Sequence, residues 1–129
     1  MSCKAIIVDD DIDTVEIYAD YLKEKGIHVL GAGYNGNEAV RLYKKFKPDI
    51  VLLDVMMPEY DGFFALENIR KLDPGSRIIM STADKTFETR KKLEDGNVNA
   101  IVYKPYEIKN VLAAIDDVMT GKKVYAELR

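Results

Sequence analysis

The feature that most constrains the fold of this chain is a regular alternation of short apolar runs with segments of helical periodicity. Five runs rich in β-branched residues have the length of strands, and they cover residues 5–8, 27–30, 50–53, 78–80 and 100–103. Between them, apolar residues recur every three to four positions, as at Val15, Ala19 and Leu22. Helical crossovers place consecutive strands in parallel, with helices on both faces of the sheet. The sequence therefore predicts a doubly wound α/β fold.

The regular spacing of glycine and proline residues after the predicted helices supports a single domain spanning residues 1–129. Gly26, Pro48, Pro74-Gly75 and Gly96 each follow a predicted helix, where such residues end helices. Five strands and five helices account for a core of about residues 4–120. Residues 121–129 are then expected to be a short charged tail, with no room for an output domain.

Composition excludes several classes of function. With 19 Lys and Arg against 22 Asp and Glu, and no basic block, we expect no direct binding of nucleic acid. The single cysteine, Cys3, cannot form an internal disulfide, and no Cys/His spacing suits structural zinc. Because the apolar runs are far shorter than the roughly 20 residues of a membrane helix, we expect no membrane insertion and a cytoplasmic location.

Polar residues interrupt the apolar runs at the point where four of the predicted strands end. These residues are Asp9-Asp10, Asp54, Ser81-Thr82 and Lys104. In an open parallel sheet the carboxyl ends of the strands share one edge, and ligands bind in the crevice there. Four separate segments are therefore predicted to build one site.

Carboxylates gathered at one edge require a cation. Two of them about 4 Å apart repel by roughly 4 kcal/mol at an effective dielectric constant near 20. Oxygen ligands without imidazole or thiolate favour Mg²⁺, for which Mn²⁺ could substitute. A carboxylate beside such a metal can attack phosphorus, while Lys104 supplies positive charge and the Thr82 hydroxyl a hydrogen bond.

Simpler interpretations exist for each residue taken alone. Residues 9–11 could form a helix-capping cluster, although Asp11 or Asp13 is the better candidate for the cap. Ser81 could face the edge in place of Thr82. Met57 is expected to fill the core, and Asp61-Gly62 to mark the turn that opens the third helix.

The ordered motifs resemble the receiver domains of two-component response regulators, especially stand-alone domains of the chemotaxis-regulator type. The resemblance covers almost the whole chain, and the matching segments are residues 6–10, 48–58, Asp61-Gly62, Thr82-Ala83 and Lys104-Pro105. It implies a flavodoxin-like fold with the strand order 2-1-3-4-5.

The resemblance also implies a role for each site residue. Asp54 would be the phosphoacceptor, and Asp10 and Asp54 would bind the metal directly, with Asp9 acting through water and the Met56 backbone carbonyl completing the protein ligands. The phosphoryl group would contact Lys104 and the Ala83 amide, and Thr82 would rotate toward it. The Lys104-Pro105 bond would be cis, which proline permits.

Two positions depart from the family pattern. The Tyr or Phe usual three residues before the lysine is Ile101 here, and Tyr103, on the same strand face, is the candidate to replace it. Asn97-Val98 also stands where Gly-Ala is usual, with Gly96 one residue early. Both departures concern the transmission of a signal rather than phosphorylation.

The resemblance implies a signalling switch rather than an enzyme, with a sensor histidine kinase or histidine phosphotransfer protein as donor. An unknown output protein, or a second copy in a phosphorylation-dependent homodimer, would bind the face of helix 4, strand 5 and helix 5, where Tyr103, Tyr106 and Lys109 are candidates for contact. The sequence does not separate an output switch from a relay carrier.

Two alternatives of other classes remain open from the sequence. A haloacid dehalogenase-type phosphatase also uses an aspartate at a strand end, but it needs a second Asp where this chain has Met56. The other alternative is a domain of the same fold that has lost phosphorylation and only binds partners.

Overall fold

The computed structural model describes residues 3–105 and 107–126. Strands and helices alternate along these residues: β1 (Cys3–Val8), α1 (Ile12–Glu24), β2 (Ile27–Gly33), α2 (Gly36–Phe46), β3 (Ile50–Asp54), α3 (Gly62–Leu72), β4 (Ile78–Thr82), α4 (Phe87–Asp95), β5 (Ala100–Tyr103), α5 (Ile108–Met119) and β6 (Val124–Tyr125). The strands form one sheet in the order β2-β1-β3-β4-β5-β6, and every pairing is parallel. The predicted α/β fold, its five helices and the strand order 2-1-3-4-5 are confirmed.

The sixth strand is a difference from the prediction. Residues 121–129 were expected to form a tail, but β6 pairs in parallel with the outer edge of β5. The backbone N–H groups of Val124 and Ala126 donate to the carbonyls of Asn99 and Ile101, at 3.0 Å in both cases. Two residues are too few to show strand periodicity, whereas the unpaired edge of β5 offers them partners.

Side chains of the strands alternate between two apolar layers, one on each face of the sheet. Ile6 belongs to the layer shared with α2, α3 and α4, and its neighbour Ile7 belongs to the layer shared with α1 and α5. Both are buried, so the central strands read as continuous apolar runs. This packing holds the carboxyl ends of the strands at one edge of the sheet. Among the described residues, no helix is both long and apolar enough to cross a membrane.

The helix ends follow the predicted signals, and Gly96 directly follows α4 as its C-cap. Asp11 is the N-cap of α1, and its carboxylate accepts hydrogen bonds from the backbone N–H groups of Asp13 and Thr14. At the end of α4, the left-handed conformation falls on Asn97 (φ 57°) and not on Gly96 (φ −74°). A Cβ at Gly96 would lie 2.8 Å from Cδ2 of Leu66, so a larger residue there would require the Leu66 side chain to move.

Gly62 allows α3 to begin directly against the end of β3. A Cβ at this position would lie 2.4 Å from the Asp54 carbonyl oxygen and 2.8 Å from Cα of Val55. The preceding residue, Asp61, caps the helix by accepting a hydrogen bond from the Phe64 N–H at 2.9 Å. The predicted turn at Asp61-Gly62 therefore also fixes the backbone that carries Asp54.

Replacing Gly62 with Ala is expected to lower the free energy of unfolding by about 1–3 kcal/mol, because backbone atoms cannot yield to the added methyl group. Chemical denaturation measures this loss. Gly75→Ala is the matched control, since its nearest neighbour would be an Asp73 carboxylate oxygen at 3.5 Å. Equal stability of the two variants would contradict the close packing at Gly62.

Candidate functional site

The carboxyl edge of the sheet is where β1, β3, β4 and β5 end. Asp9 follows β1 and its N–H donates to the Gly33 carbonyl at 3.1 Å, so the ladder with β2 fixes its backbone. Asp54 is the last residue of β3 and Thr82 the last of β4. Lys104 follows β5, and its N–H donates to the Thr82 carbonyl at 2.9 Å. The structure thus brings the residues predicted from the strand ends to one edge.

Three carboxylates meet there. Asp9, Asp10 and Asp54 each offer an oxygen, and these oxygens lie within 4.8 Å of one another. Asp9 and Asp54 are each only 4% exposed, whereas Asp10 is exposed to solvent. The predicted acidic cluster is therefore formed by side chains from two strands, with one open side.

Lys104 closes the cluster from the side of β5. Its Nζ lies 2.6 Å from Oδ2 of Asp9 and 3.3 Å from Oδ1 of Asp54. The other oxygen of Asp9 accepts a hydrogen bond from the Asp11 N–H at 2.9 Å. Both oxygens of Asp9 are thus engaged within the protein, which suits a supporting role for Asp9 more than a direct ligand role.

Burial and like charge shift the acidities of these groups. Burial raises the pKa of Asp54 to about 6; the charge of Asp9 acts in the same direction, and Lys104 opposes both. Burial and the neighbouring Asp9 also raise the pKa of Asp10. Burial disfavours the charged amine of Lys104, but its hydrogen bond to Asp9 and the charge of Asp54 outweigh this and raise its pKa. The site therefore holds three carboxylates that repel one another and one lysine amine that offsets part of this repulsion.

The donor set fits a small, hard divalent cation. Oxygens of Asp10 and Asp54 lie within 4.8 Å of each other, and the exposure of Asp10 leaves room for a cation to keep several waters. Burial and the negative charge of Asp9 raise the pKa of both carboxyls, and a bound cation would offset both effects by stabilising the ionised forms. The residues therefore suit Mg²⁺ or Mn²⁺ better than a metal that prefers nitrogen or sulfur ligands.

Thr82 and Ala83 border the cluster. Thr82 is fully buried, and its hydroxyl oxygen accepts a hydrogen bond from the Asp84 N–H at 3.0 Å. Ala83 is exposed and lines a pocket of about 310 Å³ together with Thr14, Tyr18, Lys104 and Pro105. Ala83 and Lys104 therefore line one depression at the carboxyl edge.

The two residues predicted to take part in signal transmission, Ile101 and Tyr103, lie on β5. Ile101 is fully buried in the layer beneath α4, and Tyr103 packs against the same layer, so the two share one strand face as predicted. The Tyr103 hydroxyl accepts a hydrogen bond from Nη1 of Arg90 at 3.3 Å. Whether Tyr103 replaces the usual aromatic residue remains a prediction.

Of the remaining predicted residues, Met56, Met57 and Pro105 lie in loops. Met56 follows Asp54 by two positions and its side chain is 62% exposed, whereas Met57 is buried in the core as expected. The Lys104-Pro105 peptide bond is cis. Tyr106 lies outside the described residues, and Lys109 is exposed on α5.

Sequence reasoning missed two residues that connect the site to its surroundings. Asp84 holds the Thr82 hydroxyl through its N–H, and its carboxylate accepts hydrogen bonds from the Thr86 N–H and the Thr89 hydroxyl. Arg90 joins α4 to β5 and to the C-terminal segment. The Asp84 contacts lie within five residues, and an Asp ahead of a predicted helix start is a local signal that could have found them. The Arg90 contacts have no local signal, because they join α4 to residues of other elements.

Fold and site together define a doubly wound α/β protein that holds acidic groups and a lysine at the carboxyl edge of its sheet. Residues 5–116 match the family of the response regulator receiver domain. The chain belongs to this family, which favours a receiver over the phosphatase alternative.

Similar proteins support the assignment to this family. The chain is 33% identical to the chemotaxis protein CheY of Halobacterium salinarum over 94% of this chain and 100% of that protein. It is 36% identical to CheY of Listeria monocytogenes over 88% of this chain and 95% of the relative. A solved CheX-CheY-BeF3-Mg complex from Borrelia burgdorferi superposes with a TM-score of 0.85 at 30% identity, covering 90% of this chain and 88% of that one.

Proposed function

We propose that this receiver domain accepts a phosphoryl group on Asp54 from a sensor histidine kinase or a histidine phosphotransfer protein. The observation that carries the proposal is the position of Lys104, whose amine lies 3.3 Å from Asp54 and 2.6 Å from Asp9. This amine supplies positive charge beside the carboxylate that would become phosphorylated. Membership of the receiver family supports the same role.

In the proposed reaction an ionised carboxylate oxygen of Asp54 attacks the phosphorus atom of a donor phosphohistidine. The new P–O bond forms as the P–N bond breaks, and the electron pair of that bond leaves with the donor imidazole, which is reprotonated from solvent. Asp9 holds Lys104 in reach, and the Lys104 amine neutralises charge on the transferred group. When bound by Asp10, Asp54 and the Met56 carbonyl, Mg²⁺ would supply further charge neutralisation at the phosphoryl oxygens.

The chain phosphorylated on Asp54 would act as a switch in the cytoplasm rather than as an enzyme with a separate substrate. An anion on Asp54 would draw in Lys104, Thr82 and the Ala83 amide, and so alter the face formed by α4, β5 and α5. That face would control an output protein or a homodimer, or the phosphoryl group would pass onward in a relay. The Borrelia relative, whose complex contains BeF3 and Mg, is consistent with a site of this kind.

The proposal is tested by incubating the chain with a small phosphoryl donor such as acetyl phosphate. Incorporation of base-labile phosphate is expected with Mg²⁺ and is expected to fall to background in EDTA, because three carboxylates without a cation repel the incoming anion. Mass spectrometry of the intact chain measures the addition. Absence of incorporation with Mg²⁺, from both acetyl phosphate and phosphoramidate, would favour the domain that has lost phosphorylation.

A further inference from the structure

The C-terminal strand β6 covers the outer edge of β5 with few backbone contacts. It contains two residues, and the N–H groups of Val124 and Ala126 donate to Asn99 and Ile101. The side chains of Val124 and Tyr125 are only half-buried. A strand this short and at the edge of a sheet is among the elements that open most easily.

Hydrogen bonds between the C-terminal segment and residues of α4 and the turn after it hold β6 in place. Arg90 donates through Nη1 both to the Ala126 carbonyl and to the Tyr103 hydroxyl. The Tyr125 hydroxyl donates to the Val98 carbonyl at 2.9 Å, and the Lys123 amine donates to the Asn97 side chain. The same nitrogen of Arg90 therefore serves β5 and the C-terminal segment together.

Two chains of contacts lead from the carboxyl edge to Arg90. Along the first, the Thr82 hydroxyl binds the Asp84 N–H, and the Asp84 carboxylate binds the Thr89 hydroxyl at 2.7 Å, one residue before Arg90. The second runs through β5, where Tyr103 directly precedes Lys104 and contacts Arg90. The residues that would respond to an anion on Asp54 are thus connected to the contact that holds β6.

We infer that β6 is a displaceable cover of the β5 edge, held closed by Arg90 and released when an anion occupies the carboxyl edge. This inference rests on the proposed function. An anion on Asp54 competes with Asp9 for Lys104 and attracts Thr82, so Tyr103 and the first turn of α4 shift. The shared Arg90 contact then weakens, and β6 separates from β5, which frees the carbonyls of Asn99 and Ile101.

Amide hydrogen exchange of the full chain tests the release directly. With Mg²⁺ and beryllofluoride, a mimic of the phosphoryl group, the amides of Val124 and Ala126 are expected to exchange at least about fivefold faster than with Mg²⁺ alone. Loading is measured separately by ¹⁹F NMR of the bound beryllofluoride. Loading with unchanged exchange of both amides would overturn the inference and leave the proposed function intact, whereas failure to load would overturn both.

Arg90→Ala tests the coupling from the opposite direction. Since coupling between two equilibria is reciprocal, removal of the contact that holds β6 is expected to raise beryllofluoride affinity by about fivefold or more. Tyr125→Phe, which removes the bond to Val98, is expected to shift affinity in the same direction. Lys91→Ala is the matched control, because Arg90 and Lys91 each form an i,i+4 ion pair on α4, with Glu94 and Asp95 respectively. Equal affinity of the Arg90 and Lys91 variants would overturn the inference.

Discussion

Asp54→Asn is expected to abolish phosphate incorporation, reducing it to background in the presence of Mg²⁺ and a phosphoryl donor. An amide oxygen is a far weaker nucleophile than a carboxylate, and the substitution also removes a proposed metal ligand. Intact-mass measurement after incubation with acetyl phosphate gives the result. Undiminished labelling of the variant would show that another residue accepts the phosphoryl group.

The unfolding midpoint of the Asp54→Asn variant shows whether loss of labelling could come from loss of the fold. Burial and the charge of Asp9 raise the pKa of Asp54 to about 6, which means that the folded state disfavours the ionised carboxylate. At pH values above 6 this ionisation costs stability, and below the unfolded-state pKa near 4 the cost disappears. Asn carries no such charge, so in metal-free buffer at pH 7 the variant should unfold at a midpoint no lower than that of the wild type. A lower midpoint would attribute the lost labelling to misfolding.

Lys104→Ala is expected to weaken beryllofluoride binding by about 10- to 100-fold, which is the effect of losing one charge-assisted hydrogen bond to an anion. Mg²⁺ affinity should be kept or increased, because the amine that competes for Asp9 and Asp54 is gone. Titration of the ¹⁹F signal measures the first quantity and calorimetry with Mg²⁺ the second. Any remaining phosphorylation of this variant should no longer alter partner binding.

Lys109→Ala is the matched control for this substitution. Lys109 lies five positions further along and pairs with Glu107 on the surface, with its side chain 76% exposed. Its removal should leave both affinities unchanged. A Lys104 variant that behaves like the Lys109 variant would remove Lys104 from the proposed mechanism.

The predictable parts of this protein are those with a local or periodic signal. Apolar runs such as residues 50–53 identify central strands because both of their faces are buried. Asp54 and Lys104 were placed at one edge of the sheet because parallel strands share their carboxyl ends. Asp11 was a candidate cap because a carboxylate can accept hydrogen bonds from the free N–H groups at a helix start.

The features that escaped prediction depend on contacts between distant segments. β6 forms because β5 presents a free edge, which two residues of sequence cannot reveal. Arg90 has the pattern of a solvated helix residue, yet it bonds Tyr103 and Ala126 on neighbouring elements. The register shift of β1 against β2 between Ala5 and Ile6 likewise has no local signal. Such features follow from how finished elements pack, not from the periodicity of any one of them.

The contact between Lys104 and Asp9 joins residues 95 positions apart. Lys104 follows β5, which is separated from β1 by β3 and β4 in the sheet, so the contact requires these strands to be in place. A chain still emerging from the ribosome, before its last strands are made, would carry the carboxylates without their lysine. Under the proposed function, the chain could therefore hold a phosphoryl group against Lys104 only once β5 is in place, so unfinished copies would not respond to a donor.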